Sequence, residues 1–210
     1  MMKDIIIVGA GRYGREVHSL ILAINRVKPT YNCLGFIDDN LNALDGIKID
    51  AKIIGTLQEW KPTPNLVCAM GIASPKGKEI ISKLMKSKGA KFETLIHPAA
   101  RLCEYIDFGE GCIVSGGACI GSCVKLGDFV NIAGSTIGQD TEIGNYSFTG
   151  AFANVTCNVI GERVFIGSQS FILQNKTIGD DAYVCAGSIV LSKVRPGTKV
   201  FGNPAKKIDF

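Results

Sequence analysis

Residues 120–144, IGSCVKLGDFVNIAGSTIGQDTEIG, decide the fold because an aliphatic residue recurs in them at a period of six. Glycine often follows that residue, as at Gly121 and Gly138. The pattern extends in both directions, with a step of five residues at two places. Its aliphatic or nearly aliphatic positions are Ile96, Leu102, Phe108, Val114, Ile120, Leu126, Ile132, Ile137, Ile143, Thr149, Val155, Ile160, Ile166, Ile172, Ile178, Val184 and Val190. Self-similarity at a fixed short period is typical of solenoid proteins.

The repeat has a simple physical explanation. Each hexad forms one flat strand whose aliphatic side chain points into a triangular prism, and glycine or another small residue turns the corner. Parallel strands of successive coils stack in register, so that equivalent positions form ladders of Ile and Val along the axis. The sequence therefore predicts a parallel β-helix from about residue 96 to 190, with about five coils.

The first ninety residues follow a different, α/β pattern. The apolar run at residues 5–8 predicts a central parallel strand. It leads into the glycine-rich sequence GAGRYG at residues 9–14 and then into a helical pattern at about residues 12–25. Further strands are predicted at residues 33–37, 53–54 and 66–70, and a Lys-rich helix at about residues 75–88. We therefore predict a Rossmann-like nucleotide-binding module over residues 1–92 and an all-β domain over residues 93–210.

The glycine-rich turn carries the functional signal of this module. A strand, a glycine-rich turn, a helix and a second strand ending in an acid form the fingerprint of a dinucleotide-binding unit. The glycines let the backbone approach a pyrophosphate at the helix N-terminus, and Asp38 lies near the spacing of an acid that binds a ribose hydroxyl. A purely structural tight turn is the alternative. NAD is the poorer nucleotide, because the module ends near residue 92 without a second α/β half.

Composition excludes several classes of protein. The net charge of +4 is mild and the 23 Lys and Arg residues are scattered, so no nucleic-acid surface is indicated. The eight cysteines show no CxxC spacing and only two histidines are present, so we expect no metal site. The N-terminal segment does not fit a signal peptide, and no apolar stretch reaches the length of a membrane span. Together these features favour the reducing cytoplasm.

Two motifs connect the sequence to a known family. The Ile-Gly hexads and the ending GNPAK at residues 202–206 resemble the left-handed β-helix of the hexapeptide-repeat acyltransferases. The glycine-rich unit, FIDD at residues 36–39 and LIHP at residues 95–98 narrow the resemblance to the NeuD/PglD family of sugar O- and N-acetyltransferases, across essentially the whole chain. The resemblance implies a homotrimer, with acetyl-CoA as the acyl donor in the groove between neighbouring prisms.

The resemblance also implies site residues. The nucleotide of a UDP-sugar would contact Gly9, Gly11, Arg12, Gly14, Asp38, Asp39 and Gly71. Acetyl-CoA would pass along Phe148, Cys157, Gln169 and Gly187, with Pro204 and Lys206 near its far end. It implies no partner among nucleic acids or membranes.

The chain departs from the family at the catalytic step. The family's general base is a histidine steered by an acid, and this chain has Gln139 followed by Asp140 in that place. A second family histidine, which contacts the coenzyme or the substrate, is matched by Phe148. Glutamine cannot accept a proton at neutral pH. General-base assistance is typically worth about 10²–10⁴-fold in rate.

Three interpretations of this departure stay open. An amine acceptor that arrives partly unprotonated needs only orientation and oxyanion stabilisation, with Gln139 as a hydrogen-bonding group. Asp140 is a second candidate base, although a carboxylate with a pKa near ~4 is a weak base for an ammonium group. In the third, the protein binds its ligands without turnover, as a scaffold, or acetylates a different small acceptor such as serine. The leading hypothesis is an acetyl-CoA-dependent transferase for a nucleotide sugar of the UDP-4-amino type.

Overall fold

The computed structural model describes residues 2–209, and their N-terminal part is an α/β module. Its parallel sheet has four strands in the order β3-β2-β1-β4. The elements are β1 (Lys3–Val8), α1 (Arg12–Val27), β2 (Tyr31–Ile37), β3 (Ile53–Gly55), β4 (Leu66–Met70) and α2 (Pro75–Ser87). Both helices and all four strands lie where the hydrophobic pattern predicts them, to within two or three residues at the ends.

The central strand β1 is buried on both faces, which explains its unbroken apolar sequence. Ile5 and Ile7 pack in one cluster with the apolar side of α1. Ile6 and Val8 pack in a second cluster with Met85 of α2. Side chains alternate between the two faces of a strand, so a strand covered on both sides must be apolar at every position.

The predicted left-handed parallel β-helix is confirmed. Its strands β5 to β21 contain two residues each, and the second residue of each is one of the predicted aliphatic positions. These strands are β5 (Leu95–Ile96), β6 (Arg101–Leu102), β7 (Asp107–Phe108), β8 (Ile113–Val114), β9 (Cys119–Ile120), β10 (Lys125–Leu126), β11 (Asn131–Ile132), β12 (Thr136–Ile137), β13 (Glu142–Ile143), β14 (Phe148–Thr149), β15 (Asn154–Val155), β16 (Val159–Ile160), β17 (Phe165–Ile166), β18 (Phe171–Ile172), β19 (Thr177–Ile178), β20 (Tyr183–Val184) and β21 (Ile189–Val190). Most of these aliphatic side chains form one continuous core along the prism.

The prism has three faces and three corners. Face 1 carries β5, β8, β11, β14, β17 and β20, face 2 carries β6, β9, β12, β15, β18 and β21, and face 3 carries β7, β10, β13, β16 and β19. Corner 1 joins face 1 to face 2, corner 2 joins face 2 to face 3, and corner 3 leads back to face 1. Left-handed residues turn each corner, and at corner 1 they are Gly117, Gly134, Phe152, Gln169 and Gly187.

The β-helix extends beyond the last predicted hexad at Val190. A further strand, β22 (Lys199–Gly202), pairs in parallel with β20 on face 1 and then forms an antiparallel hairpin with β23 (Ala205–Lys207). Val194 and Val200 continue the core at this end. The hexad pattern stops earlier because the loop between β21 and β22 does not keep the six-residue spacing.

The α/β module docks against the first coils of the β-helix. Helix α1 shares an apolar cluster with Leu95 and Ile113 of face 1, and the α2 side shares one with Phe129 of corner 3. The domain boundary near residue 92 stays a prediction; α2 ends at Ser87 and the first β-helix strand begins at Leu95. Across residues 2–209, neither helix combines the length and apolarity needed to cross a bilayer.

Candidate functional site

A cavity of about 510 Å³ lies over the glycine-rich turn. It brings together six of the seven residues predicted to contact a nucleotide, and Gly14 is the exception. Its lining is Gly9, Gly11, Arg12, Tyr13, Asp38, Asp39, Leu57, Gly71, Ile72, Ala73 and Ile81. The carboxyl ends of β1 and β2 open into this cavity, which is where ligands bind in open α/β sheets.

Gly14 packs directly against the backbone of the turn at Gly9. A Cβ at this position would overlap the carbonyl oxygen of Gly9, so only glycine lets α1 approach the turn. Gly71 is similarly confined, because its Cβ would lie 2.6 Å from the same oxygen. Gly9 itself has a φ of +99°. Gly11 is different: it is the N-cap of α1, and its Cβ would meet no atom within 4 Å.

Asp38 and Asp39, which follow β2, line this cavity and hydrogen-bond to backbone amides around it. Asp38 accepts a hydrogen bond from the Ala10 amide at 2.7 Å and another from the Asn40 amide at 2.8 Å. Asp39 accepts one from the Leu57 amide at 2.9 Å. A carboxylate oxygen can accept more than one hydrogen bond, so these bonds leave capacity for ribose hydroxyls.

A second cavity, of about 530 Å³, lies between α1 and corner 1 of the β-helix. It shares Arg12, Tyr13 and Ala73 with the first cavity, so the two are adjacent. The remaining lining comes from α1 and from four successive coils: Glu16, Ser115, Gly116, Gly117, Ala133, Gly134, Phe148, Gly150, Ala151, Phe152 and Ser168. The site is therefore a groove that runs from the glycine-rich turn to corner 1.

Aromatic rings form one wall of this groove. Tyr13 meets Phe148 edge to face, with ring centroids 5.9 Å apart. Phe148 stacks on Phe165 at 5.0 Å, and Phe165 stacks on Tyr183 at 4.6 Å. Burial, reinforced by the charge of Glu16, raises the pKa of Tyr13, so its hydroxyl stays protonated. Phe148, which stands in the place of a family histidine, thus does line the candidate site.

The residues predicted to contact acetyl-CoA are divided between different parts of the β-helix. Gln169 and Gly187 stand at corner 1, and their amides donate at 2.9 Å to carbonyls of the preceding coil. Cys157 stands at corner 2, where its amide donates to the carbonyl of Gln139 at 3.1 Å. Pro204 and Lys206 belong to the C-terminal hairpin, where Lys206 pairs with Phe201.

The predicted catalytic pair also lies at corner 2. Gln139 and Asp140 follow β12 and are exposed, and neither lines the cavities at corner 1 or at the glycine-rich turn. Asp140 has a φ of +53° and donates its amide to Ser122 of the preceding coil at 3.2 Å. The described chain therefore does not bring Gln139 and Asp140 together with Phe148.

Sequence reasoning missed Glu16 and Ser115, two polar residues that line the groove. Glu16, Ser115 and Gly116 also line a smaller cavity of about 260 Å³ that ends at His97. The Nδ1 atom of His97 accepts a hydrogen bond from the Ala99 amide at 3.0 Å. Among residues 2–209, no three His, Cys, Asp or Glu side chains are placed to hold a metal ion.

The chain folds as an α/β module followed by a left-handed parallel β-helix, and comparisons with known proteins find similarity to both parts. Residues 4–84 match the PglD N-terminal domain family. The first module is thus similar to that domain family, and the match ends before the β-helix begins.

Solved structures share the fold over the full length of the chain. The acetyltransferase domain of PglB from Neisseria gonorrhoeae, in complex with acetyl coenzyme A, is 25% identical with a TM-score of 0.88, covering 99% of this chain and 100% of that one. PerB from Caulobacter crescentus, in complex with CoA and GDP-perosamine, is 22% identical with a TM-score of 0.87, covering 100% and 99%. WeeI from Acinetobacter baumannii is 24% identical with a TM-score of 0.86, covering 99% and 100%.

A curated relative matches part of the chain. Serine acetyltransferase 4 from Arabidopsis thaliana is 33% identical over 143 residues. The match covers 64% of this chain but only 35% of the plant protein, so the chain spans about a third of that relative's length.

Proposed function

We propose that the protein is an acetyl-CoA-dependent N-acetyltransferase whose acceptor is an amino sugar nucleotide. The observation that carries this proposal is the continuous groove from the glycine-rich turn to corner 1. A nucleotide over Gly9 and Gly11 would direct its sugar past Tyr13 toward Phe148. The neighbours in complex with acetyl coenzyme A, or with CoA and GDP-perosamine, have the same fold.

The proposed reaction needs no cofactor beyond the acyl donor. The unprotonated amine of the sugar attacks the thioester carbonyl, the C–S bond breaks, and CoA leaves as the thiol. The acceptor amine loses one proton in forming the amide. Orientation of the two bound reactants can supply a large part of such a rate enhancement without a side-chain base.

The position of Gln139 bears on the assembly. Because Gln139 and Asp140 stand at corner 2, they reach a groove at corner 1 only from a second copy of the chain. We therefore propose the homotrimer, with corner 2 of one prism beside the groove of the next and acetyl-CoA between them. Gln139 would hydrogen-bond the acceptor amine there, and Asp140 would orient Gln139 or the amine. The reaction would take place in the cytoplasm.

A direct assay tests the proposal. The protein is incubated with acetyl-CoA and a panel of UDP-, GDP- and dTDP-linked 4-amino sugars, and release of free CoA is followed. Matched nucleotide sugars with a hydroxyl at that carbon serve as controls for O-acylation. We expect release with at least one UDP-4-amino sugar. Silence across the whole panel would contradict the proposal.

The same panel serves in a thermal-shift screen, which reports binding without turnover. A ligand at about a hundred times its dissociation constant stabilises the folded protein by about 2.7 kcal/mol.

Gln139 and Phe148 favour one alternative, an inactive homologue that binds both ligands as a scaffold. Stabilisation by nucleotide sugar and acetyl-CoA without CoA release supports this alternative, whereas brisk turnover by the natural sequence excludes it. The serine acetyltransferase relative favours another acceptor class. CoA release with free serine and no stabilisation by UDP would support that alternative.

A further inference from the structure

Lys78 is a fully buried lysine at the junction between the α/β module and the β-helix. It lies in the first turn of α2 and has no exposed surface. Its Nζ donates hydrogen bonds to the carbonyl of Phe129 at 2.7 Å and to the carbonyl of Ser147 at 2.9 Å. Both carbonyls stand at corner 3, in two successive coils. Lys78 therefore ties α2 to the β-helix through backbone acceptors alone.

The burial of this amine is energetically unfavourable, which makes its presence informative. An ammonium group without a carboxylate partner loses its hydration on burial, and such groups are rare inside proteins. Burial accordingly lowers the pKa of Lys78 well below its ordinary value. The charge of Cys112 opposes this shift, but burial raises the pKa of that thiol to about 11. An apolar side chain would fill the same space at lower cost, so packing does not explain a lysine here.

The hydrogen bonds of Lys78 affect the segment that precedes α2. Residues 71–74, which we name the strap, connect β4 to α2. Gly71, Ile72 and Ala73 line the cavity over the glycine-rich turn, and Ala73 also lines the cavity at corner 1. The strap is thus a shared wall between the two halves of the groove.

The strap is held by one contact from the β-helix and by one from α2. The side-chain amide of Asn131, two residues beyond Phe129, donates to the carbonyl of Ile72 at 3.3 Å. At the other end of the strap, the Lys78 amide donates to the carbonyl of Ser74 at 2.8 Å. Loss of the two hydrogen bonds of the Lys78 side chain would therefore free α2 and the strap to shift relative to corner 3.

We propose that Lys78 is a positioning residue, which fixes the strap and so sets the distance between a sugar nucleotide on the α/β module and the thioester on the β-helix. This inference rests on the proposed acetyl transfer. Lys78 touches neither reactant. Its effect falls on the alignment of the cavity over the glycine-rich turn with the cavity at corner 1, which both parts of the chain line.

The test compares Lys78→Met with a matched control, Lys88→Met. Lys88 lies at the other end of α2, and its Nζ also donates to two carbonyls, those of Leu57 at 2.7 Å and Gln58 at 2.6 Å. Those carbonyls belong to the α/β module itself, so the control removes the same type of contact without loosening the junction. Each variant is assayed for kcat, for the dissociation constants of UDP and acetyl-CoA, and for amide hydrogen exchange in the strap.

For Lys78→Met we expect kcat to fall by about 100-fold, the effect of misplacing reactants by about an ångström. The dissociation constants of UDP and acetyl-CoA should change far less than kcat, and the strap amides should exchange faster while those of β1 do not. Lys88→Met should keep the wild-type kcat. Lys78→Gln, which retains N–H donors on a shorter neutral chain, should recover part of the lost rate.

Three results would overturn the inference: an unchanged kcat in folded Lys78→Met, an equal loss in Lys88→Met, or a UDP affinity that falls in step with kcat. If Lys78→Met does not fold, Lys78→Gln is read by the same measurements. If the wild type releases no CoA with any acceptor, the proposed function fails by itself. The exchange measurement then decides about Lys78, because unchanged strap protection in the variant excludes a positioning role.

Discussion

Gln139 and Phe148 lie on different sides of the prism, although both stand at positions where the NeuD/PglD family carries histidine. Phe148 belongs to face 1 and lines the groove, whereas Gln139 is exposed at corner 2 after β12. Along the chain they are separated by β13, one strand of face 3. The proposed site, which uses both positions, would therefore need two copies of the protein.

The first prediction concerns the missing base. Gln139→His should raise kcat by up to about 10²–10⁴-fold, because an imidazole can take the proton of the attacking amine. The pH profile of kcat should gain a limb near pH ~6.5, the ordinary pKa of histidine. Steady-state CoA release across a pH series measures both effects.

Ser122→His is the matched control for this prediction. Ser122 stands at corner 2 one coil earlier, and its carbonyl accepts the amide of Asp140. A histidine there has the same chemistry about 4.8 Å away along the axis, the spacing between strands. An equal gain in both variants would show that the effect is not specific to position 139.

The second prediction separates two glycines of the same turn. Gly14→Ala should destabilise the protein by about 1–3 kcal/mol, the range for forcing an extra carbon into a packed site, because its Cβ would overlap the Gly9 carbonyl oxygen. Gly11→Ala should leave stability nearly unchanged, because its Cβ enters open space. That space is the cavity over the turn, so Gly11→Ala should instead weaken UDP binding. Urea unfolding and calorimetric titration with UDP distinguish the two, and normal UDP affinity in folded Gly11→Ala would place the nucleotide elsewhere.

The β-helix could be predicted from sequence because its stability depends on a local, repeated requirement. One interior position recurs in every hexad, and even the polar exception fits: Thr149 is buried, and its hydroxyl lies 2.7 Å from that of Ser135. The hairpin of β22 and β23 follows no such repeat, so nothing in the pattern indicates it.

Only one part of the candidate site, the glycine-rich turn, could be predicted from the sequence. The glycine-rich turn is a local motif, and its residues line one cavity as its spacing suggests. This cavity adjoins the one at corner 1 only because the α/β module docks on the β-helix. Contacts such as the hydrogen bond from Lys78 to Ser147 hold the two domains in that arrangement. These residues are 69 positions apart, and no periodicity connects them. For the same reason the contributions of Glu16 and Ser115 could not be foreseen.

The third prediction is a pH dependence of stability that arises from His18. This side chain is buried on α1, with its ring 5.7 Å from that of Phe36. Burial lowers its pKa, and the charge of Asp50 opposes the shift only in part. The unfolded chain therefore binds a proton more readily than the folded protein.

The sign of the effect follows from this difference. The free energy of unfolding should show no loss from His18 above pH ~6.5, which is the pKa of histidine in the unfolded chain. It should decrease as the pH falls below that value toward the lowered pKa of the folded protein. His18→Gln, which stays neutral, should lack this decline between pH ~7 and ~5. Urea midpoints at several pH values test it, and an identical decline in His18→Gln would assign the dependence to other groups.

The last prediction concerns Phe152, the most exposed aromatic residue of the groove. It stands at corner 1 with a φ of +60° and is 79% exposed. Three of the other four left-handed residues at this corner are glycine. A left-handed conformation destabilises a residue that has a side chain by about 1–2 kcal/mol. Glycine avoids this strain, but its more flexible unfolded chain costs about 0.5–1 kcal/mol on folding. Phe152→Gly should therefore stabilise the ligand-free protein by up to about 1 kcal/mol.

The same variant should bind acetyl-CoA less tightly, because it removes an apolar wall of the cavity at corner 1. Gln169→Gly is the control for the backbone term, since Gln169 is exposed at the same corner with a φ of +58°. Urea unfolding of both variants isolates the contribution of the phenyl ring. If Phe152→Gly is less stable and also dissociates at low concentration, the ring packs against a second copy. Its strained conformation would then serve the assembly, and the ring would not be a wall for the coenzyme.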